Sequence, residues 1–479
     1  MCFVALLLLL AVLLLLLYEH TRARALPAGP PAWPLIGHLL HLDAADPAEQ
    51  VRHWGRQYGG MFTLWMPHPV VYVTDYKLIR EALITHGDAY AARPYSYLTN
   101  LLNGGPFGIV NQNGATWREQ RRFVMQTLTR LAVRRNRMQQ NIANEVRHLI
   151  DHLCERCNQP IDISEPIRVC VANTLASMLF GRRFEFNDLR FKRLCALNDE
   201  MFDLIAGSST LMLLEMVPWL RWLMRNCDDV KRVQACADAL RAFYRGEIEQ
   251  HKCTSVIVKA TCLFVSIDQL TGICADLWVA GIDSTMATLK WAVAFLCANP
   301  VVQRRAQAEL DSVVAIDECV HVCHRSQLPF MQALCTETQR CANVVTVNVT
   351  HKTTKRTTLG GYSIPAGTSI QPEIYSAMFD ETVFPDAHKF DPDRFMVSNG
   401  TEASVVAKRL EQVIAFGVGQ RACPGASITR TQLFLVLSSL LHRFTLSFAS
   451  DDRRPPRLQR IQQLMSYPQD YTVLVAKRT

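Results

Sequence analysis

The sequence predicts a mainly helical protein with small β-sheets, carried behind an apolar N-terminal segment. Three observations lead there. From about Asp46 apolar residues recur at helical spacing through most of the chain. Only two short runs gather β-branched and aromatic residues around turn residues, as strand pairs do. The first seventeen residues, Met1 to Leu17, carry no polar or charged side chain.

The apolar segment comes first. As a helix, Met1 to Leu17 would be about 25 Å long, near the lower limit for crossing a bilayer. No Lys or Arg precedes it, whereas Arg22 and Arg24 follow, which places the body in the cytosol. The rival is a cleaved signal peptide, with Ala23-Arg24-Ala25 as its site, but the run lacks a basic leader and exceeds a usual signal core. We take residues 1–18 as a retained anchor. A cytosolic body keeps its cysteines reduced and makes Asn348-Val-Thr350 and Asn399-Gly-Thr401 accidental tripeptides rather than glycan acceptors. Residues 19–34 are basic and then Pro-rich: Pro27, Pro30, Pro31 and Pro34 forbid helix and suit a stiff spacer.

The body follows from residue 35. Phe62 to Val73, around Pro67-His68-Pro69, reads as a hairpin. Helices are predicted near 75–88, 115–130, 137–157, 165–180, 187–206, 231–250, 268–298, 300–314 and 327–343. Leu359 to Ile370 reads as a second hairpin with Gly360-Gly361 at its turn. Asp380 to Phe395, rich in Pro and Asp without a period, is an ordered loop, and Ala426 to Phe444 is a last long helix.

Composition narrows the function. Hydrophobic residues are 49% and charged residues 20% of 479, as in a globular protein with a sizeable core. A net charge of +8 over that length is too slight for a nucleic-acid binder. The 16 Cys are too dilute for a disulfide scaffold. There is no internal repeat and no Gly-rich phosphate loop, so the chain does not bind a nucleotide in either of the two usual ways.

One motif decides the reading. In Phe416-Gly417-Val418-Gly419-Gln420-Arg421-Ala422-Cys423-Pro424-Gly425, glycines allow a close backbone approach, and one Cys stands just ahead of a helix. A thiolate there is stabilised by the helix N-terminus and its N–H groups. Arg421 adds a cation two residues away. That is the environment an anionic sulfur ligand to haem iron needs, with an arginine beside it for a haem carboxylate.

This pattern, Phe-x-x-Gly-x-Arg-x-Cys-x-Gly, resembles the haem-binding loop of the cytochrome P450 family. Glu337-Thr338-Gln339-Arg340 is similar to the family's Glu-x-x-Arg, and Pro392-Asp393-Arg394-Phe395 supplies the arginine that joins that pair in a buried network. Trp117-Arg118-Glu119-Gln120-Arg121 resembles its Trp-x-x-x-Arg helix, and His351 its basic residue before the hairpin. Ala280-Gly281-Ile282-Asp283-Ser284-Thr285 resembles its oxygen-binding helix, with Ser284 where the family usually has Thr. The likeness runs from anchor to C-terminus and is nearest to the microsomal drug- and lipid-metabolising branch of animals. It departs at Cys253 to Ile267, which is shorter and more apolar than the family's segment there, through either a deletion or a break in the gene model.

The resemblance implies a single cytochrome P450 haem domain at 35–479 holding haem b, with Cys423 as axial iron ligand. Trp117, Arg121, His351 and Arg421 would hold the haem carboxylates. Phe416, Gly419 and Gly425 would shape the loop, and Ala280 and Gly281 would make room beside the flat cofactor. Asp283 with Ser284 or Thr285 would relay protons to dioxygen. Glu337, Arg340 and Arg394 would serve folding and haem retention. It implies a monooxygenase of the endoplasmic reticulum membrane, acting on a small hydrophobic substrate such as a xenobiotic, fatty acid or steroid. Electrons would come from NADPH-cytochrome P450 reductase, with cytochrome b5 as a further partner, and the exposed arginines Arg118, Arg122, Arg130, Arg134, Arg135 and Arg137 would dock the donor. Substrate contacts are expected near Arg93 to Phe107, Phe202 to Leu214 and Cys274 to Ile282. The rivals are a haem-thiolate isomerase or dehydratase of lipid peroxides and an inactive membrane-bound binding protein.

Two cysteine clusters are set aside. Cys154-Glu-Arg-Cys157 has no second pair, and the spacing of Cys319-Val-His321-Val-Cys323-His324 fits neither a zinc finger nor a c-type haem site. Both read as structural.

Overall fold

The computed structural model describes residues 26–33, 37–38, 41, 47–66, 68–133, 137–185, 188–250, 266–346, 348–397, 402–449, 460–462 and 465–478. The expected anchor at 1–18 lies outside the described residues, as do Pro34, Arg134, Arg135, Asn399 and all of the departing stretch except Ser266 and Ile267. No single helix among the described residues is long and apolar enough to cross a membrane.

In chain order, α1 (Pro47–Tyr58) leads into the hairpin β1 (Met61–Met66) and β2 (His68–Val73). Then come α2 (Tyr97–Asn103), α3 (Gly114–Val133), α4 (Arg137–Cys154), α5 (Ser164–Leu179), α6 (Leu189–Gly207), α7 (Ser209–Met216) and α8 (Asp228–Gln250). The long α9 (Ile267–Ala298), α10 (Pro300–Val313) and α11 (Pro329–Ala342) follow. After them stand β3 (His351–Lys352), β4 (Thr357–Leu359), β5 (Tyr362–Ile364) and β6 (Ser369–Pro372). α12 (Ile374–Met378), α13 (Ala403–Gln412), α14 (Ala426–Arg443), β7 (Phe444–Phe448) and β8 (Val473–Lys477) complete the elements used below.

α9 organises the helical part. Ser266 starts it, its Oγ accepting the Gln269 N–H at 3.2 Å. Asn299 ends it, and Pro300 begins α10 where its missing N–H is harmless. Its thirty-two residues are apolar nearly all round, which only a helix buried by neighbours tolerates. It packs against α5, α8, α11 and α14, with Trp278 meeting Phe180 at 5.8 Å between ring centroids. One continuous core joins these helices. Truncating a side chain as buried as Trp278 costs about 3–5 kcal/mol.

A second core lies under the four-stranded sheet β1-β2-β6-β3. β2 runs antiparallel to β1, with Met61 opposite Val73, and parallel to β6, with Val70 opposite Ser369. β3 closes the edge with His351 opposite Ile370. Leu26 is buried in this core, and a Cβ on Gly29 would lie 2.1 Å from the Thr63 carbonyl oxygen. Leu26 and Gly29 therefore rest against the sheet.

The second hairpin is shorter than the sequence suggests. Gly360 (φ +52°) and Gly361 (φ +85°) make the turn, but the paired strands are β4 and β5 and end at Ile364. Pro365 cannot continue the ladder, and Ile370 belongs to β6 in the other sheet. The expected helix at 75–88 begins at Tyr76, capped by Asp75, and changes after Arg80 into a π turn and a 3₁₀ turn ending at Tyr90.

Candidate functional site

The loop before α14 is built around its sulfur. The Gly417 N–H donates to the Ile414 carbonyl and the Cys423 N–H to the Phe416 carbonyl, each at 2.8 Å. Gly419 has φ +76°, and a Cβ there would sit 2.0 Å from the Leu83 carbonyl oxygen, so no other residue fits. The loop delivers Cys423 to the start of α14, where the Gly425 and Ala426 N–H groups donate to its sulfur. One side of Cys423 is exposed and protein encloses the rest. That enclosure pushes the thiol up; the two amides, Arg121 and Arg430 pull it back down. A Cβ on Gly425 would stand 3.8 Å from Sγ, so this glycine keeps the space beside the sulfur clear.

Around the loop stand three buried or half-buried arginines. Arg421 lies over the Trp117 ring, 3.6 Å from its centroid, and donates to the carbonyls of Ala91 (2.8 Å) and Gln112 (2.6 Å). Arg121 donates to the Ala422 carbonyl. Arg93 donates to the Val349 and Thr350 carbonyls at 2.5 and 2.9 Å, leaving its buried Nε without a partner. Burial first, and then the other arginines, hold Arg93 down to about 9 and Arg421 down to about 8. His351 meets the Tyr90 carbonyl through Nδ1 at 2.8 Å. Burial, with Arg93 and Arg421, lowers it to about 3, so its ring is neutral unless an anion comes beside it. The buried Trp117 Nε1 has no partner.

α9 presents two different faces. Ala280 is exposed, and Ser284 donates its hydroxyl to the Ala280 carbonyl at 2.6 Å on a partly open surface. Thr285 is buried at 1% exposure. A Cβ on Gly281 would meet Leu175 of α5 at 2.7 Å, so its small size lets α9 approach α5 closely. Asp283 also turns away from Ser284. It lies at 7% exposure in a small recess with Arg168 and Asp199, which pair at 2.6 Å. Burial raises its carboxyl to about 6, with Arg168 opposing and Asp199 reinforcing the rise. A step of 100° per residue parts the two neighbours.

The three segments expected to touch substrate converge: α2 packs on α7, α8 and α9, and Glu215 accepts the Leu98 N–H at 3.0 Å. Asp276 of α9 fastens the loop after α2, accepting from Ile109 N–H (2.6 Å) and Val110 N–H (3.0 Å).

Glu337, Arg340 and Arg394 meet in the interior. Arg340 Nε and a terminal nitrogen donate to the two Glu337 oxygens at 2.7 and 2.8 Å, both side chains having no exposure. Arg394 Nε lies 3.3 Å from Glu337 Oε1 without hydrogen-bond geometry. The Asp391 N–H also donates to that oxygen at 2.9 Å, and Arg340 reaches the Met378 carbonyl at 3.0 Å. One carboxylate thus ties α11 to the loop that leads toward Cys423.

The family model Cytochrome P450 matches residues 27–475. The chain belongs to the cytochrome P450 family. Relatives include human Cytochrome P450 2C8, 27% identical with 98% of each chain covered. Chicken Cytochrome P450 2H1 is 29% identical over 93% of this chain and 92% of its own. Cytochrome P450 18a1 of Drosophila melanogaster is 29% identical over 95% and 88%. Members of the family bind haem, and this P450 is a haem-dependent monooxygenase. Its residues fit the group: a planar dicarboxylate answers three mutually repelling guanidinium groups and an indole N–H buried without a partner.

Two residues of this P450 escape sequence reasoning. Arg93 was expected to border substrate, yet its side chain belongs to the cation group; it stands in no motif, and only its burial beside Arg121 and Arg421 reveals it. Asp276 looks like any acid on a helix until the Ile109 and Val110 amides are seen to point at it.

Proposed function

We propose that this P450 inserts one oxygen atom from O2 into a small hydrophobic organic substrate while the other leaves as water. Electrons come from NADPH through NADPH-cytochrome P450 reductase, with cytochrome b5 as a second donor. Arg118, Arg122 and Arg130, all exposed on α3, suit an acidic protein partner that brings the electrons. A xenobiotic, fatty acid or steroid suits the apolar segments 97–107, 202–214 and 274–282. The apolar run 1–18 supports an anchor in the endoplasmic reticulum membrane, with the haem domain in the cytosol.

Cys423 would hold the haem iron in this reading; its sulfur, held by two helix-start amides with Arg121 and Arg430 near, is the observation that carries it. Bound haem supplies the redox chemistry of its iron. Trp117, Arg121, Arg421 and Arg93 would hold the two carboxylates, and one of these beside His351 would favour the protonated, donating ring. Ser284, partly open where Thr285 is buried, is the working hydroxyl for proton delivery. Asp283, in the recess beside Arg168 and Asp199, is the acid of the pair.

The test is the carbon-monoxide difference spectrum of the reduced protein beside that of Cys423→Ser. A thiolate-type band present in the parent and lost in the variant supports the reading. Its absence from a parent that contains haem overturns it.

A further inference from the structure

α14 carries a cation on the face that leads back to Cys423. Its first residue, Ala426, gives its N–H to the Cys423 sulfur, and Arg430 lies one helical turn further along the same face. Long side chains on a helix run back toward its N-terminus, so the Arg430 stem is directed toward the end where the sulfur stands. The Phe416 ring receives the guanidinium, with Cζ 4.8 Å from the ring centroid. Phe416 also holds the cysteine, since its carbonyl accepts the Cys423 N–H at 2.8 Å. One residue therefore fixes both the arginine and the sulfur-bearing residue.

No acid neutralises this arginine. Among the described residues the one anion that acts on Arg430 is the Cys423 thiolate. Arg325, which covers the Phe434 ring of the same helix at 5.8 Å, is a second cation acting on it. Burial first, and then Arg325, lower Arg430, and Cys423 opposes them; Arg430 in turn helps to pull the Cys423 thiol down. Arg121 acts on the sulfur too, but it is bonded to the Ala422 carbonyl and belongs to the group that suits the haem carboxylates, which would neutralise it. Arg430 keeps its charge for the sulfur.

We propose that Arg430 is a positioning residue that acts through Cys423: its fixed positive charge beside the sulfur raises the midpoint potential of the bound haem and so eases its reduction. The proposal rests on Cys423 as the iron ligand. Reduction adds one electron, and with it one negative charge, to the iron and its sulfur, and a cation nearby favours the more negative of the two states. In turnover the partner protein supplies that electron; no bond forms or breaks and no proton moves.

The test is a mediated titration of the full-length, haem-loaded protein with dithionite, with no reductase present, so that docking plays no part. Arg430→Gln should lower the midpoint potential, cutting the ferrous-to-ferric ratio at a fixed potential about threefold to tenfold. Arg430→Glu should cut the ratio by about the square of that factor, and Arg430→Lys should return it close to the parent's. Lys408→Gln, which removes an exposed charge from α13, should leave it unchanged. A carbon-monoxide difference spectrum accompanies each titration, and a thiolate-type band in every protein shows that the sulfur still holds the iron. With that band present, an unshifted Arg430→Gln potential, or a fall in Arg430→Lys as large as that in Arg430→Gln, would overturn the proposal and leave the reading of Cys423 standing. A parent whose haem gives no thiolate-type band would overturn both.

Discussion

Arg421 covers the face of Trp117, its Cζ 3.6 Å from the ring centroid, while the indole N–H of the same tryptophan is buried and makes no hydrogen bond. The ring thus serves two purposes: its face steadies a cation and its edge keeps a donor in reserve. Replacing Trp117 by Phe keeps a face and removes the donor. A hydrogen bond to a charged acceptor is worth about 1.5–3 kcal/mol, so haem should leave Trp117→Phe roughly 10 to 100 times faster. Transfer of haem to excess apomyoglobin measures this. The unfolding midpoint of the haem-free chain should not fall, since the variant lacks a buried unpaired N–H.

The Glu337–Arg340 pair has no exposure at all, and Arg340 further lies over Phe379 and Phe384 at 5.2 and 5.0 Å from their centroids. Arg340→Ala strands the Glu337 carboxylate and leaves the Met378 carbonyl unpaired. A loss of about 3–5 kcal/mol is expected, enough to abolish soluble haem-loaded protein at ordinary growth temperature. Arg340→Lys should also fail, because one ammonium cannot span both carboxylate oxygens. Denaturant unfolding and the yield of haem per chain are the readouts.

Ser284 and Thr285 are separable. Ser284→Ala should raise the peroxide released per NADPH oxidised, with haem content unchanged, because the partly open hydroxyl that bonds the Ala280 carbonyl is gone. Thr285→Ala removes a group of 1% exposure and should lower stability by about 1 kcal/mol while leaving the peroxide yield near the parent's.

Asp283 should show itself in the pH dependence of stability. Its carboxyl is raised from 3.8 to about 6, chiefly by burial, so the folded chain holds a proton that the unfolded chain has lost. Between those values stability falls as pH rises: the contribution is complete below about pH 4 and gone above about pH 6. The slope should amount to about 3 kcal/mol over that window, and Asp283→Asn should flatten it. Chemical denaturation at pH 4.5 and pH 7 for both proteins decides the matter.

What was legible in the sequence was whatever local spacing encodes. The Cys423 loop is contiguous, and its glycines, arginine and sulfur act within ten residues of one another, so the pattern carries its own geometry. Glu337 and Arg340 sit one turn apart on a helix, which spacing alone reveals. The packing duty of Gly281 is silent in the sequence, because spacing says which residues share a face but not what stands opposite, and Leu175 comes from a helix about a hundred residues earlier. Asp283 was placed beside Ser284 because they adjoin in sequence, although adjacency on a helix separates side chains. Arg93 had no motif to announce it. The second hairpin was drawn too long because Ile370 looks like a strand residue, and is one, in a different sheet.

The Asp276 clamp bears on traffic. Its carboxylate, desolvated and therefore raised in pKa, holds the Ile109 and Val110 amides against α9, and releasing both would cost several kcal/mol. The 103–110 loop is thus a wall rather than a door. The rim from Gly207 to Met224 is held less firmly, with Trp219 and Trp222 70% and 76% exposed. Amide hydrogen exchange would draw the contrast residue by residue: slow at Ile109 and Val110, fast across the rim.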